Sequence, residues 1–183
     1  MDMIKETLLA VEPVSVTAFA PFGELLLRPE GEPSFRGIQA SSWPTCFACV
    51  DGVQLMYVRF GWQEPLFTKF ERHRGITQTF VALMPRRFVM VVAPPAAAGD
   101  WPDIDAVRAF LIPPGAAVII GDGIWHALDR FLPEREALDC LMLTSAGVQA
   151  ELEAQYQGGG EPRRTDVVDY AARGRQFRLD LPS

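Results

Sequence analysis

No apolar stretch of this chain runs far before a glycine or a proline interrupts it. Fifteen of each are spread over 183 residues, and the segments between them are rich in β-branched and aromatic side chains. Val53–Phe60, Leu66–His73, Thr77–Met84, Phe88–Ala93, Ala116–Ile120 and Leu138–Thr144 each read as a strand, with a turn at Trp62–Pro65. Many short strands punctuated in this way build a sandwich or a barrel. Helix signals are few. Pro102–Phe110 predicts one short helix with Asp103 near its start, and Ser145–Gln157 predicts a second, ended by Gly158–Gly160. The expected architecture is all-β with a few short helices. It forms a single domain over 1–183, in which 161–183 is a docked arm or a loose tail.

The net charge of -6 argues against nucleic acid as a partner, because phosphate binding needs a basic face. A small anionic ligand stays open, since a few local cations suffice to hold one. The three cysteines, Cys46, Cys49 and Cys140, are too few and odd in number for a disulfide framework, so a reducing compartment is expected. Cys46 and Cys49 have redox or zinc spacing, but no second pair and no βαβ context accompany them. The first 14 residues lack the basic start of a signal peptide, and no apolar run is long enough to span a membrane. Cytoplasmic localisation is the expectation.

The chain has two histidines, His73 and His126. In the strand ending at His73, alternation places Lys69, Glu71 and His73 on one face. If that face points inward, a base, an acid and an imidazole enter a small interior and need partners or a metal there. A tight turn through Arg74–Ile76 brings Gln78 close behind His73.

These residues resemble the two motifs of the cupins. Glu71, His73 and Gln78 stand at the ligand places of the first motif. Gly115, Gly121 and His126 follow the spacing of the second, with Gly121 in the proline place. The resemblance implies a cupin-type jelly-roll β-barrel and a mixed N/O ligand set of His73, His126, Gln78 and Glu71. Such a set suits a divalent ion such as nickel, zinc or manganese.

A narrower resemblance lies within the cupins. Phe70-Glu71-Arg72-His73 with Gln78-Thr79-Phe80, Asp103–Leu111 with Pro114-Gly115, Gly123–His126 and Thr17–Glu24 are similar to segments of the ureidoglycolate lyases, over roughly 16–144. That family releases urea and glyoxylate from ureidoglycolate in allantoin and purine catabolism. The resemblance implies a carbon–nitrogen lyase with no nucleotide or redox cofactor, and Glu71 as catalytic base. Lys69 is the first choice for the cation at the substrate carboxylate, with Arg59 and Arg72 behind it. Gln78 and Trp125 are further candidate substrate contacts. A homodimer is also implied, and an open sheet edge favours one.

Three departures touch the surroundings of the site. Ala127 and Leu128 stand where the family carries a second histidine and a proline. Phe35–Ser42 replaces a polar, arginine-rich stretch, and Thr144-Ser145 replaces Asp-Arg. The loss of a proton donor next to His126 is expected to weaken ureidoglycolate turnover. A cupin that acts on, or merely binds, another small carboxylate is the competing expectation.

Overall fold

Short strands carry most of the backbone. The structure is a computed structural model that describes residues 4–182 apart from 28, 30 and 98. Its strands are β1 (Lys5–Pro13), β2 (Gly23–Leu26), β3 (Phe35–Arg36), β4 (Ser41–Ser42), β5 (Val53–Phe60), β6 (Leu66–Phe67), β7 (Lys69–His73), β8 (Gln78–Ala82), β9 (Phe88–Ala93), β10 (Arg108–Ile112), β11 (Ala117–Ile120), β12 (Trp125–Ala127), β13 (Leu138–Ser145), β14 (Thr165–Asp169) and β15 (Arg175–Asp180). Two α-helices, α1 (Val16–Phe19) and α2 (Ala146–Tyr156), complete the set.

The strands form an eight-stranded sheet in the order β14-β7-β12-β9-β10-β1-β15-β6, a five-stranded sheet in the order β2-β11-β8-β13-β5, and the small hairpin β3-β4. Only Thr68 separates β6 from β7, yet β6 is one edge of the larger sheet and β7 lies next to the other edge. That sheet therefore curls until it nearly closes. Two sheets of mainly antiparallel strands, one of them curled, make the cupin-type barrel.

The alternation of β9 shows how the core is divided. All six of its residues are buried. Phe88, Met90 and Val92 join Phe80, Phe110, Ile120 and Cys140 in the core between the sheets. Val89, Val91 and Ala93 join Phe67, Phe70, Trp125 and Phe177 in a second core within the curl. Each large apolar side chain withdrawn in this way contributes roughly 1.5–3 kcal/mol.

Local chemistry places the turns. Gly75 has φ +77, and a Cβ there would lie 2.8 Å from Val50 Cγ2, so the turn after β7 needs glycine. Ser145 caps α2 by accepting a hydrogen bond from Val148 N at 3.1 Å.

The helix expected over Pro102–Phe110 is absent. Asp103 does cap a start, but only Ile104–Ala106 coils, as a 3-10 turn, and Arg108 onward is strand. β10 lies between β9 and β1, and the packing available to a central strand overrides local helix preference. Within the C-terminal segment, β14 and β15 are built into the larger sheet, where β14 pairs with β7 and β15 pairs in parallel with β1. No helix among the described residues is long and apolar enough to cross a membrane.

Candidate active site

β7 and β12 are antiparallel neighbours with His126 opposite Glu71. The alternation that sends Phe70, Trp125 and Ala127 into the curl sends Glu71, His73 and His126 to the other face, toward the core between the sheets. Glu71 Oε1 lies 3.8 Å from His73 Nε2 and 3.7 Å from His126 Nδ1. The ring centres of the two histidines are 5.3 Å apart. One ligand atom from each of the three residues falls within 4.8 Å of the others. Gln78 reaches the same interior from the opposite sheet, on the strand that places Phe80 in the core.

The rings are held from behind. Thr165 Oγ1 of β14 is 2.9 Å from His73 Nδ1, and the carbonyl of Ala127 is 3.1 Å from His126 Nδ1. A carbonyl can only accept, so His126 carries its proton on Nδ1 and presents a lone pair at Nε2. His73 Nε2, His126 Nε2 and Gln78 Oε1 are buried without hydrogen-bond partners. Orphaned polar atoms of this kind, next to a carboxylate, are a ligand set that fits a divalent cation. Histidine ligands braced through their other nitrogen are the usual arrangement around a bound metal.

Burial governs the protonation states. It pushes His73 down to about 4 and His126 well below its ordinary 6.5, in each case with help from the charge of Arg130. Both rings are neutral at physiological pH, the form that binds metal. Burial pushes Glu71 up to about 7, against the pull of Arg130. Glu71 is also the most accessible of the three, with 17% of its side chain exposed.

The cations singled out from sequence are each paired with an acid other than Glu71. Lys69 is half exposed, with Nζ 4.0 Å from Asp169. Arg59 is exposed on the outer side of β5, 3.6 Å from Asp139. Arg72 and Trp125 occupy the opposite face of their strands, the guanidinium 4.5 Å above the indole centre, and Arg72 donates from Nε to Asp166 at 2.8 Å. They help line a separate cavity of about 310 Å³. A larger concavity of about 940 Å³, near Trp101, Tyr170 and Arg173, likewise contains none of the triad. Ala127 points into the second core, so a histidine there would not face His126 Nε2. The hairpin β3-β4, built from the departing stretch 35–42, is exposed.

Two residues at this site escaped the sequence reading. Thr165 comes from the segment whose docking was undecided. Arg130 is buried just beyond β12, and its charge acts on Glu71 and both histidines. The sequence signal for it was a charged pair, Asp129-Arg130, set within the apolar stretch from Ala127 to Leu132.

The fold and the triad together define a cupin-type enzyme site with a donor set for a divalent ion. Comparison with known proteins narrows this. The sequence model of the ureidoglycolate lyase family matches residues 66–158. A ureidoglycolate lyase of Azotobacter vinelandii is 34% identical over 129 residues, 65% of this chain and 75% of that protein. One from Pseudomonas syringae pv. syringae is 30% identical over 157 residues, 81% of this chain and 89% of that one. The chain belongs to the ureidoglycolate lyase family. Among solved structures, chains of Bacillus subtilis oxalate decarboxylase align at a TM-score of 0.37 with 12% and 14% identity, covering 65% of this chain and 33% of theirs.

Proposed function

We propose that this protein cleaves ureidoglycolate to glyoxylate and urea, a carbon–nitrogen lyase step in allantoin and purine catabolism. The observation that carries this reading is the Glu71 carboxylate held 3.8 and 3.7 Å from two neutral imidazoles, in a chain of this family. One carbon of the substrate bears a hydroxyl, a carboxylate and the ureido nitrogen. The hydroxyl loses its proton, its electron pair becomes the carbonyl of glyoxylate, the C–N bond breaks, and the leaving nitrogen gains a proton. No electrons are gained or lost overall, so the reaction needs neither a nucleotide nor a redox cofactor.

Glu71 is assigned as the base. A carboxyl raised to about 7 by burial is a stronger base than an ordinary one, and a substantial fraction is ionised at neutral pH. Once protonated, it is also the nearest acid for the leaving nitrogen. A divalent ion such as nickel, zinc or manganese, held by His73, His126 and Gln78 with Glu71 beside them, would supply Lewis acidity toward the hydroxyl and carboxylate oxygens. Thr165 and the Ala127 carbonyl keep the two rings in place.

The same reading places the protein in the reducing cytoplasm, supported by three free cysteines. It also makes the protein a homodimer through the outer side of the five-stranded sheet. There the exposed Leu55 and Tyr57 of the edge strand β5 lie opposite Leu143 and Leu141 of β13. Monomeric proteins seldom leave such an apolar face and edge uncovered.

Adding ureidoglycolate to protein of known metal content tests the assignment. Urea and glyoxylate should appear in equal amounts. Their absence from protein fully loaded with any of the three ions would refute it.

A further inference from the structure

The lyase reading calls for a cation at the substrate carboxylate, and Lys69, Arg59 and Arg72 are each engaged with an acid other than Glu71. One guanidinium does stand inside. Arg130 is 2% exposed. Its hydrogen bonds run from Nη1 to the carbonyls of Ala127 at 2.8 Å and Asp129 at 3.1 Å, while its Nε has no partner. Its Cζ lies 4.2 Å from the ring centre of Phe80, two residues along the strand from Gln78. No carboxylate among the described residues comes within ion-pair distance of it, although Glu71 is close enough to feel its charge.

A buried charge with one edge unpaired is costly unless a counter-charge joins it. The Nε side of a guanidinium matches the two oxygens of a carboxylate, which a lysine ammonium cannot match. Burial lowers Arg130 only to about 10, so it remains a cation at neutral pH.

We propose that Arg130 anchors the substrate carboxylate, and that it restricts the site to small 2-hydroxy acids whose carboxylate meets the guanidinium while the hydroxyl faces Glu71. The hydroxyl half of this rests on the lyase reading; the carboxylate half does not. The contrary role is bracing, in which Arg130 only ties down the two carbonyls of the turn after β12.

Calorimetry with glycolate, and with its uncharged counterpart glycolamide, separates these roles. The wild-type protein should bind glycolate and ignore glycolamide. Arg130→Met should weaken glycolate by about a hundredfold, the usual scale for removing one member of a buried charge pair, while metal content and melting temperature stay close to wild type. Arg130→Lys should recover part of the binding. Unchanged glycolate affinity in Arg130→Met, or equal wild-type binding of the two probes, would overturn the proposal. Should Arg130→Met not fold, Arg130→Lys decides, because it keeps the charge and loses the fork: at least about tenfold weaker binding supports anchoring and unchanged binding refutes it. Urea release on the same samples keeps the two readings apart. Wild-type protein that binds glycolate through Arg130 and releases no urea sinks the lyase assignment alone. An active enzyme whose KM is unmoved by Arg130→Met sinks the anchor alone.

Discussion

The imidazoles of His73 and His126 stand 5.3 Å apart on adjacent antiparallel strands, each tied through Nδ1 and each with an unpartnered Nε2. Buried polar atoms of native proteins rarely lack partners, and two such nitrogens beside one carboxylate are compatible with a divalent ion.

His126→Ala should therefore separate binding from packing. In metal-free protein the cost should be modest, about 1–2 kcal/mol, because the cavity created is offset by removal of an orphaned nitrogen. The stabilisation that the wild type gains from added nickel, zinc or manganese should vanish. Thermal melts with and without the ion check both statements. A larger loss with ion-induced stabilisation intact would mean that His126 only packs.

Thr165 reaches His73 Nδ1 from a strand far along the chain. Thr165→Val keeps the shape and removes the hydroxyl. Metal affinity should fall about 10–100-fold with the fold retained, as for other residues that orient a ligand from behind. A competition titration with a chelator measures it, and an affinity equal to wild type would count against the arrangement.

Restoring histidine at position 127 should not help. Ala127 is fully buried in the core within the curl, on the face opposite Glu71. Ala127→His should cost about 1–3 kcal/mol through overpacking and should not raise urea release. A faster enzyme would show that the strand turns over and presents residue 127 to the site.

Leu55→Glu tests the dimer. Leu55 is exposed, in register with Leu143 on the outer side of the sheet. Light scattering across a concentration series should give a dimer for wild type and a monomer for the variant. A monomeric wild type at high micromolar concentration would remove the case for this interface.

Asp51 supplies a pH dependence outside the site. The Ser145 hydroxyl at 2.5 Å and the Arg164 guanidinium at 2.6 Å hold its carboxyl down to about 2, below its ordinary 3.8. A lowered carboxyl binds fewer protons in the folded state, so its contribution is present above about pH 3.8 and is lost as pH falls through about 2. The stability difference between wild type and Asp51→Asn should be constant at neutral pH and shrink across that window. Denaturant melts at pH 7, 4 and 2 would show it, and a difference that is flat with pH would exclude the role.

The sequence alone determined the parts of the protein that depend on local chemistry. The strand Val53–Phe60 is legible because β-branched and aromatic residues crowd a short segment bounded by glycines. Period-two alternation put Glu71 and His73 on one face, and it put Arg72 on the other. The resemblance of Gly115, Gly121 and His126 to the second cupin motif implied the second histidine. The tertiary structure decided what depends on neighbours distant in the chain. Arg108–Ile112 is strand because β9 and β1 flank it, although a helix was expected as far as Phe110. Lys69 shares the parity of Glu71 yet stays half exposed beside Asp169, since parity fixes a face and not how far the barrel encloses it. Ala127 follows His126 directly and still belongs to another core. Arg130 joins the site from the turn after β12, and Thr165 from a late strand that pairs with β7. No local periodicity encodes that pairing, because its two strands lie far apart in the chain.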